Sequence, residues 1–260
     1  MDSNYNKNDY DTPIDSKIML RDFLCFRTRF FFFSRIINSI LRFSKNINKG
    51  KYSINEWCRE SYYNFDTVEG CGGRIHIRNL NNITAVDDPV VFIGNHMSTM
   101  ETFILPGLIL PRKPITFVVK QSLVDMPHFG TVMKATEAIA VGRNNPIEDF
   151  KTVIKEGTNH IKAGTSVVIF PQSTRGPEFT PEEFNTIGIK LAKKAGVPII
   201  PIALKTDFWG NGKLIKDIGP IDRKKDIYIE FGTPITIEGN GKKEHSEIIE
   251  FIQSKLSDWK

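Results

Sequence analysis

Short apolar runs rich in β-branched residues recur from about residue 74 onward, separated by polar segments with helical spacing. The runs at 74–78, 90–93, 115–119, 138–141, 166–170, 199–204 and 227–231 are strand-length, and several show no polar alternation. That pattern predicts strands covered on both faces. Helices are predicted over 99–110, 127–134, 146–162, 181–194 and 243–259. Pro146 suits a first helical position, and Gly164 and Gly196 suit helix stops. Strands alternating with helices predict an α/β domain over residues 53–260, a largely parallel mixed sheet flanked by helices. No internal repeat, long linker or second core appears.

The amino-terminal part has another pattern. Residues 1–16 are polar and read as a disordered tail. In residues 17–52, Phe23, Phe26, Phe30, Phe33, Ile37 and Ile40 step by three and four, one stripe of a helix. Arg21, Arg27, Arg35 and Arg42 fall away from its middle, while Phe31, Phe32 and Phe43 lie outside it. A span needs about 20 mostly apolar residues, and the arginines interrupt this stretch too often. A basic amphipathic helix at a lipid surface is the expectation, and a helix packed on the domain is the competing reading.

Charge sharpens that contrast. Residues 1–52 hold 10 Lys or Arg and 5 Asp, a balance of +5. The whole chain has 35 basic and 30 acidic residues, so 25 of each remain in residues 53–260. Positive charge confined to one end argues against a nucleic-acid surface and for a local anionic partner such as membrane lipid. The three cysteines, Cys25, Cys58 and Cys71, fit neither a zinc site nor a disulfide framework. A reducing environment and a peripheral position on the cytoplasmic face of a membrane are the corresponding expectations.

Ligands of open α/β sheets gather beyond the carboxyl ends of strands, and two polar segments occupy such ends. After the run at 90–93 come Gly94, Asn95, His96, Met97, Ser98, Thr99, Met100 and Glu101. His96 and Glu101 can form a general base and its orienting carboxylate. Ser98-x-x-Glu101 also reads as a capping box, and His96 as an ordinary turn residue, so both readings stand at this level. After the run at 166–170 come Pro171, Gln172, Ser173, Thr174, Arg175 and Gly176. Hydroxyls, a guanidinium and backbone N–H groups there suit an anion such as phosphate, or form a plain polar turn. No metal-ligand set is evident. The absence of a Gly-x-Ser-x-Gly elbow argues against a hydrolase built on Ser98 or Ser173.

Four segments in order carry a family resemblance over residues 70–236. Asn95-His96 with Glu101 is followed by Ala138-Ile139-Ala140-Val141-Gly142-Arg143. Lys120-Gln121-Ser122-Leu123 and Pro127-His128-Phe129-Gly130 precede that second block. Then come Phe170-Pro171-Gln172-Ser173-Thr174-Arg175 and Val197-Pro198-Ile199-Ile200-Pro201-Ile202-Ala203. Together they resemble the glycerolipid acyltransferase family, the lysophosphatidic acid acyltransferase group especially. The family's Asn-His-x4-Asp carries Glu here, and its Phe-Pro-Glu-Gly-Thr-Arg carries Gln172 and Ser173. The resemblance implies acyl transfer from acyl-CoA or acyl carrier protein to a lyso-lipid hydroxyl, most directly that of 1-acyl-glycerol-3-phosphate, in phospholipid biosynthesis. It implies His96 as base with Glu101 behind it. Lys120, Arg143, Gln172, Ser173, Thr174 and Arg175 would bind substrate phosphates, with no metal or prosthetic group. Gln172 and Ser173 leave the acceptor headgroup open, and with it another lyso-lipid or a non-catalytic lipid-binding role.

Overall fold

Seven of the strands expected from β-branched runs form in the computed structural model, which describes residues 7–172, 174–213 and 215–259. They are β2 (Ile75–Arg78), β3 (Val91–Gly94), β4 (Ile115–Lys120), β5 (Ile139–Val141), β6 (Ser166–Ile169), β7 (Ile199–Lys205) and β8 (Ile227–Phe231). An added edge strand, β1 (Tyr10–Asp11), completes the order β1-β2-β8-β7-β3-β6-β4-β5. β1–β2 and β7–β8 are antiparallel, and the other neighbours are parallel. Successive residues of the central strands feed opposite cores. Phe92, Val168 and Ile200 pack on one face, Val91, Val167 and Ile199 on the other, the period of two expected of a sheet covered on both sides.

The helices are α1 (Leu20–Leu24), α2 (Arg29–Asn48), α3 (Ile54–Gly70), α4 (Met100–Ile109), α5 (Gln121–Val124), α6 (Phe129–Ala135), α7 (Pro146–Lys162), α8 (Ile187–Ala195) and α9 (Lys242–Asp258). Asn145 caps α7 by accepting from the Ile147 and Glu148 N–H groups at 3.1 and 3.4 Å, just before Pro146. α8 stops at Gly196, whose φ of +72° only glycine adopts at little cost. The helix expected over 181–194 begins later, because residues 181–183 form a separate 3₁₀ turn.

Three amino-terminal expectations change. Of the polar tail, residues 1–6 lie outside the described residues, but Tyr10 and Asp11 pair with Ile77 and His76. Tyr10 and Thr12 also donate to Glu69 Oε1, at 2.7 and 2.5 Å, so side-chain hydrogen bonds order a segment without apolar periodicity. The expected single helix over 17–52 breaks at Phe26 and Arg27, both with φ near +53°. The boundary at residue 52 is no structural division either. α2 buries Phe32, Phe33, Ile36 and Phe43 in the same core as β2 and β8. Those side chains lie mostly beside the expected stripe, and Phe23, Phe26, Phe30 and Ile37 stay exposed.

The partner of α2 is α3, a helix that the apolar pattern does not announce. Its capping residue, Ser53, accepts from the Glu56 N–H at 3.1 Å. Four of its nine buried residues are polar: Glu60, Ser61, Asn64 and Thr67. Arg42 clasps the buried Glu60 carboxylate through Nε at 2.7 Å and Nη2 at 2.6 Å, and Ser39 donates to it at 3.0 Å. Arg35 and Arg42 lie over the Tyr63 ring. These arginines therefore face the protein. Replacing Arg42 alone would leave the Glu60 carboxylate buried and uncompensated, a strongly destabilising change.

Candidate active site

β3 ends at Gly94, in the middle of the sheet, and Asn95 pins the chain where it leaves the strand. Its buried side chain donates to the Leu204 carbonyl at 2.7 Å and accepts from the Leu204 N–H at 2.8 Å, tying the β3 exit to β7. His96 comes next. Its backbone N–H donates to Gln172 Oε1 at 2.7 Å, and its ring stacks on Phe170 with centroids 4.5 Å apart and planes 6° from parallel. Two loops from two parallel strands thus set the imidazole from behind and from one face.

His96 Nδ1 is hydrogen-bonded directly to Glu101 Oε2. The other oxygen, Oε1, accepts from the Met97 N–H at 2.9 Å, the Ser98 N–H at 3.0 Å and Thr206 Oγ1 at 2.5 Å. Met100 N–H donates to Ser98 Oγ at 3.2 Å. One Glu101 oxygen thus meets the backbone N–H groups that lead into α4, and the other meets the histidine ring. With Nδ1–H committed to a carboxylate, Nε2 carries the lone pair. Four hydrogen bonds converge on Glu101, which has no exposed surface, and they secure the longer side chain where the family pattern has Asp.

His96 borders a cavity of about 510 Å³, within the roughly 300–1,000 Å³ usual for ligand sites. Its inner wall is largely apolar, built by Phe33, Ile36 and Phe43 of α2, Phe103 of α4 and Phe117 of β4. Its rim is cationic. Lys120, Arg143, Thr174 and Arg175 all line it, and so do Lys216 and Asp217. Arg143 has φ +63°, held there by Asp149, which accepts from the Gly142 and Arg143 N–H groups at 2.8 Å each. Burial, and then the nearby Arg175 charge, hold the Arg143 guanidinium below its ordinary value. Arg175 Nη1 donates to Asp217 Oδ1 at 2.6 Å and also bonds Thr99 Oγ1.

Gln172, expected to bind substrate, does not line the cavity. Gln172 is buried and occupied with the His96 backbone, so its position is that of a buttress. Ser173 lies outside the described residues. Thr206, Trp209, Lys216 and Asp217 come from the loop after β7 and belong to no recognisable motif. Asp149 could be read only as an acidic residue in the first turn of α7.

A family model described as Acyltransferase matches residues 74–205. The 1-acyl-sn-glycerol-3-phosphate acyltransferase of Pseudomonas aeruginosa is 30% identical over 209 residues, covering 80% of this chain and 76% of that protein. The Escherichia coli protein of the same name is 32% identical over 117 residues, 45% of this chain and 46% of its own. The crystal structure of the 1-acyl-sn-glycerophosphate acyltransferase of Thermotoga maritima superposes with a TM-score of 0.62 at 15% identity, covering 92% of this chain and 91% of that one.

Proposed function

The chain belongs to the acyltransferase family, and from that premise we propose that it moves a fatty acyl group from acyl-CoA or acyl carrier protein to the hydroxyl of 1-acyl-glycerol-3-phosphate, giving phosphatidic acid for phospholipid biosynthesis. The observation that carries this reading is the position of the His96–Glu101 pair on a cavity with an apolar interior and a cationic rim. A lyso-phospholipid has the matching parts: a hydrocarbon chain, a free hydroxyl and a phosphate.

In the proposed reaction His96 Nε2 takes the acceptor hydroxyl proton as the oxygen attacks the thioester carbonyl. The tetrahedral intermediate collapses with expulsion of the thiolate, and the imidazolium returns the proton to it. Glu101 stabilises that imidazolium and fixes the productive tautomer. Proton transfer alone suffices, so the scheme calls for no metal or prosthetic group and no acyl-enzyme. Lys120, Arg143 and Arg175 are assigned to phosphate oxygens, with Thr174 as a hydrogen-bonding neighbour.

We assign the protein to the cytoplasmic face of a membrane, as a peripheral enzyme. No described helix is long and apolar enough to cross a bilayer. Support for surface binding comes from Leu20, Phe23, Leu24, Phe26 and Phe30, all exposed on or beside α1 and at the start of α2, among Arg21, Arg27 and Arg29.

The test is thiol release from acyl-CoA with and without lysophosphatidate, with mass spectrometry of the lipid product. Acceptor-dependent release with phosphatidic acid formed is the expected result, lost at least about a hundredfold in His96→Ala. Release without acceptor, or full activity in the alanine variant, would overturn it.

A further inference from the structure

Residues 206–222, between β7 and β8, put two charged side chains on the cavity rim. Lys216 Nζ is hydrogen-bonded to Thr174 Oγ1, inside the phosphate motif. Burial, then the Arg175 and Arg143 guanidinium groups, push its ammonium below the ordinary lysine value. Three cations therefore lie close together, Arg175 beside the Asp217 carboxylate and Arg143 beside that of Asp149. Like charges gathered on a cavity wall repel until an anion joins them.

Asp217 is anchored on both sides. Its Oδ1 accepts from Arg175 at 2.6 Å and from Thr99 Oγ1 at 2.8 Å, and its backbone carbonyl accepts from Trp209 Nε1 at 3.1 Å. The Trp209 ring is wedged against Phe32, Phe33 and Phe103, with centroids 5.1, 5.3 and 5.8 Å away. The carboxylate that grips Arg175 is thus itself fixed by the packing of α2 and α4.

Resting on the proposed use of a phosphorylated acceptor, we propose that Lys216 binds the acceptor's headgroup phosphate together with Arg143 and Arg175, and that Asp217 is a positioning residue that fixes Arg175 for that phosphate. The donor's coenzyme A phosphates share this chemistry, so donor and acceptor must be read apart. Asp217 has a rival role, a counter-charge that competes with phosphate for Arg175, and the two roles have opposite signs.

Steady-state kinetics with acyl-CoA and lysophosphatidate on the full-length protein decide the matter. Lys216→Gln is expected to raise KM for lysophosphatidate about tenfold, the worth of one charge-assisted hydrogen bond, with kcat within about twofold and KM for acyl-CoA unchanged. Asp217→Asn is expected to raise the same KM although it makes the rim more positive, and Asp217→Glu to restore part of it. Lys216 is exposed and the Asp217 side chain is 43% exposed, so thermal melts of all three variants should match the wild type. An unshifted acceptor KM in Lys216→Gln, or a shift confined to acyl-CoA, overturns the phosphate assignment. A lower acceptor KM in Asp217→Asn overturns the positioning role. Wild-type protein that acylates no phosphorylated acceptor overturns this inference and the acceptor reading together.

Discussion

Replacing Glu101 by Gln isolates charge and tautomer from shape. The amide has two orientations. In one, its carbonyl oxygen keeps the place of Oε1, accepting from Met97 N–H, Ser98 N–H and Thr206 Oγ1, and its NH₂ faces His96 Nδ1. In the other, the NH₂ turns toward the two buried backbone N–H groups, leaving each unsatisfied at about 1–3 kcal/mol. The first orientation therefore wins by about 2–6 kcal/mol, enough to be the dominant one. His96 must then accept at Nδ1 and carry its proton on Nε2, where no lone pair remains for the acceptor hydroxyl. A wrong-tautomer histidine of this kind costs about 10⁴-fold in kcat, or about 5 kcal/mol of barrier. The helix cap survives, so melting temperature should stay close to that of the wild type. Thiol release at saturating lysophosphatidate, beside a thermal melt, gives both numbers. Turnover within about threefold of wild type in a stable Gln variant would refute the reasoning and leave Glu101 as a cap.

The geometry sets three further outcomes. Asn95→Ala removes both bonds to Leu204 and should lower unfolding free energy by about 3 kcal/mol in a denaturant melt, with activity falling as the His96 loop loosens. Exchanging Phe23, Phe26 and Phe30 together for Ser should leave stability unchanged, since all three are exposed, yet weaken co-sedimentation with anionic vesicles at least tenfold; equal sedimentation would remove the membrane assignment. In a thiol titration of native protein at pH 8, Cys25 alone should react quickly, because burial pushes the Cys58 and Cys71 thiols up to about 11 and about 12. Both lie well above the assay pH, so their thiolate fraction stays negligible, and rapid labelling of three sites would contradict the described packing.

Seven strands and the motif loops were legible because buried parallel strands demand β-branched runs, and a dyad at a strand end demands particular residues. Where burial is polar, that signal fails. α3 sinks Glu60, Ser61, Asn64 and Thr67 into the interior, and the groups that satisfy Glu60 and Ser61, namely Arg42, Ser39 and backbone carbonyls of α4, lie outside its own sequence. In the amino-terminal segment Phe23, Phe26, Phe30 and Ile37 of the stripe do stay exposed, but the pattern did not disclose a second, buried face. Phe32 and Phe43, beside the stripe, proved to be core, because Arg35 and Arg42 find partners on α3. The break at Phe26 and Arg27 carries no Gly or Pro to announce it. Asp217 and Lys216 come some forty residues after the Arg175 motif, and only the return of the chain past β7 makes them its neighbours.

The place of β2 between β1 and β8 sets a timetable for biosynthesis. β2 leaves the ribosome early, but its parallel partner β8 is made roughly 150 residues later, on the order of 10–30 s at about 5–20 residues per second. Asp22 waits longer, 201 residues, for Arg223, which bonds it in the finished protein at 3.1 Å. Through that interval the nascent chain displays an unpaired strand edge and a run of phenylalanines, the kind of surface that chaperones and lipid headgroups capture. A ribosome stalled before β8 would leave β7 without its antiparallel neighbour and α1 without its Arg223 anchor.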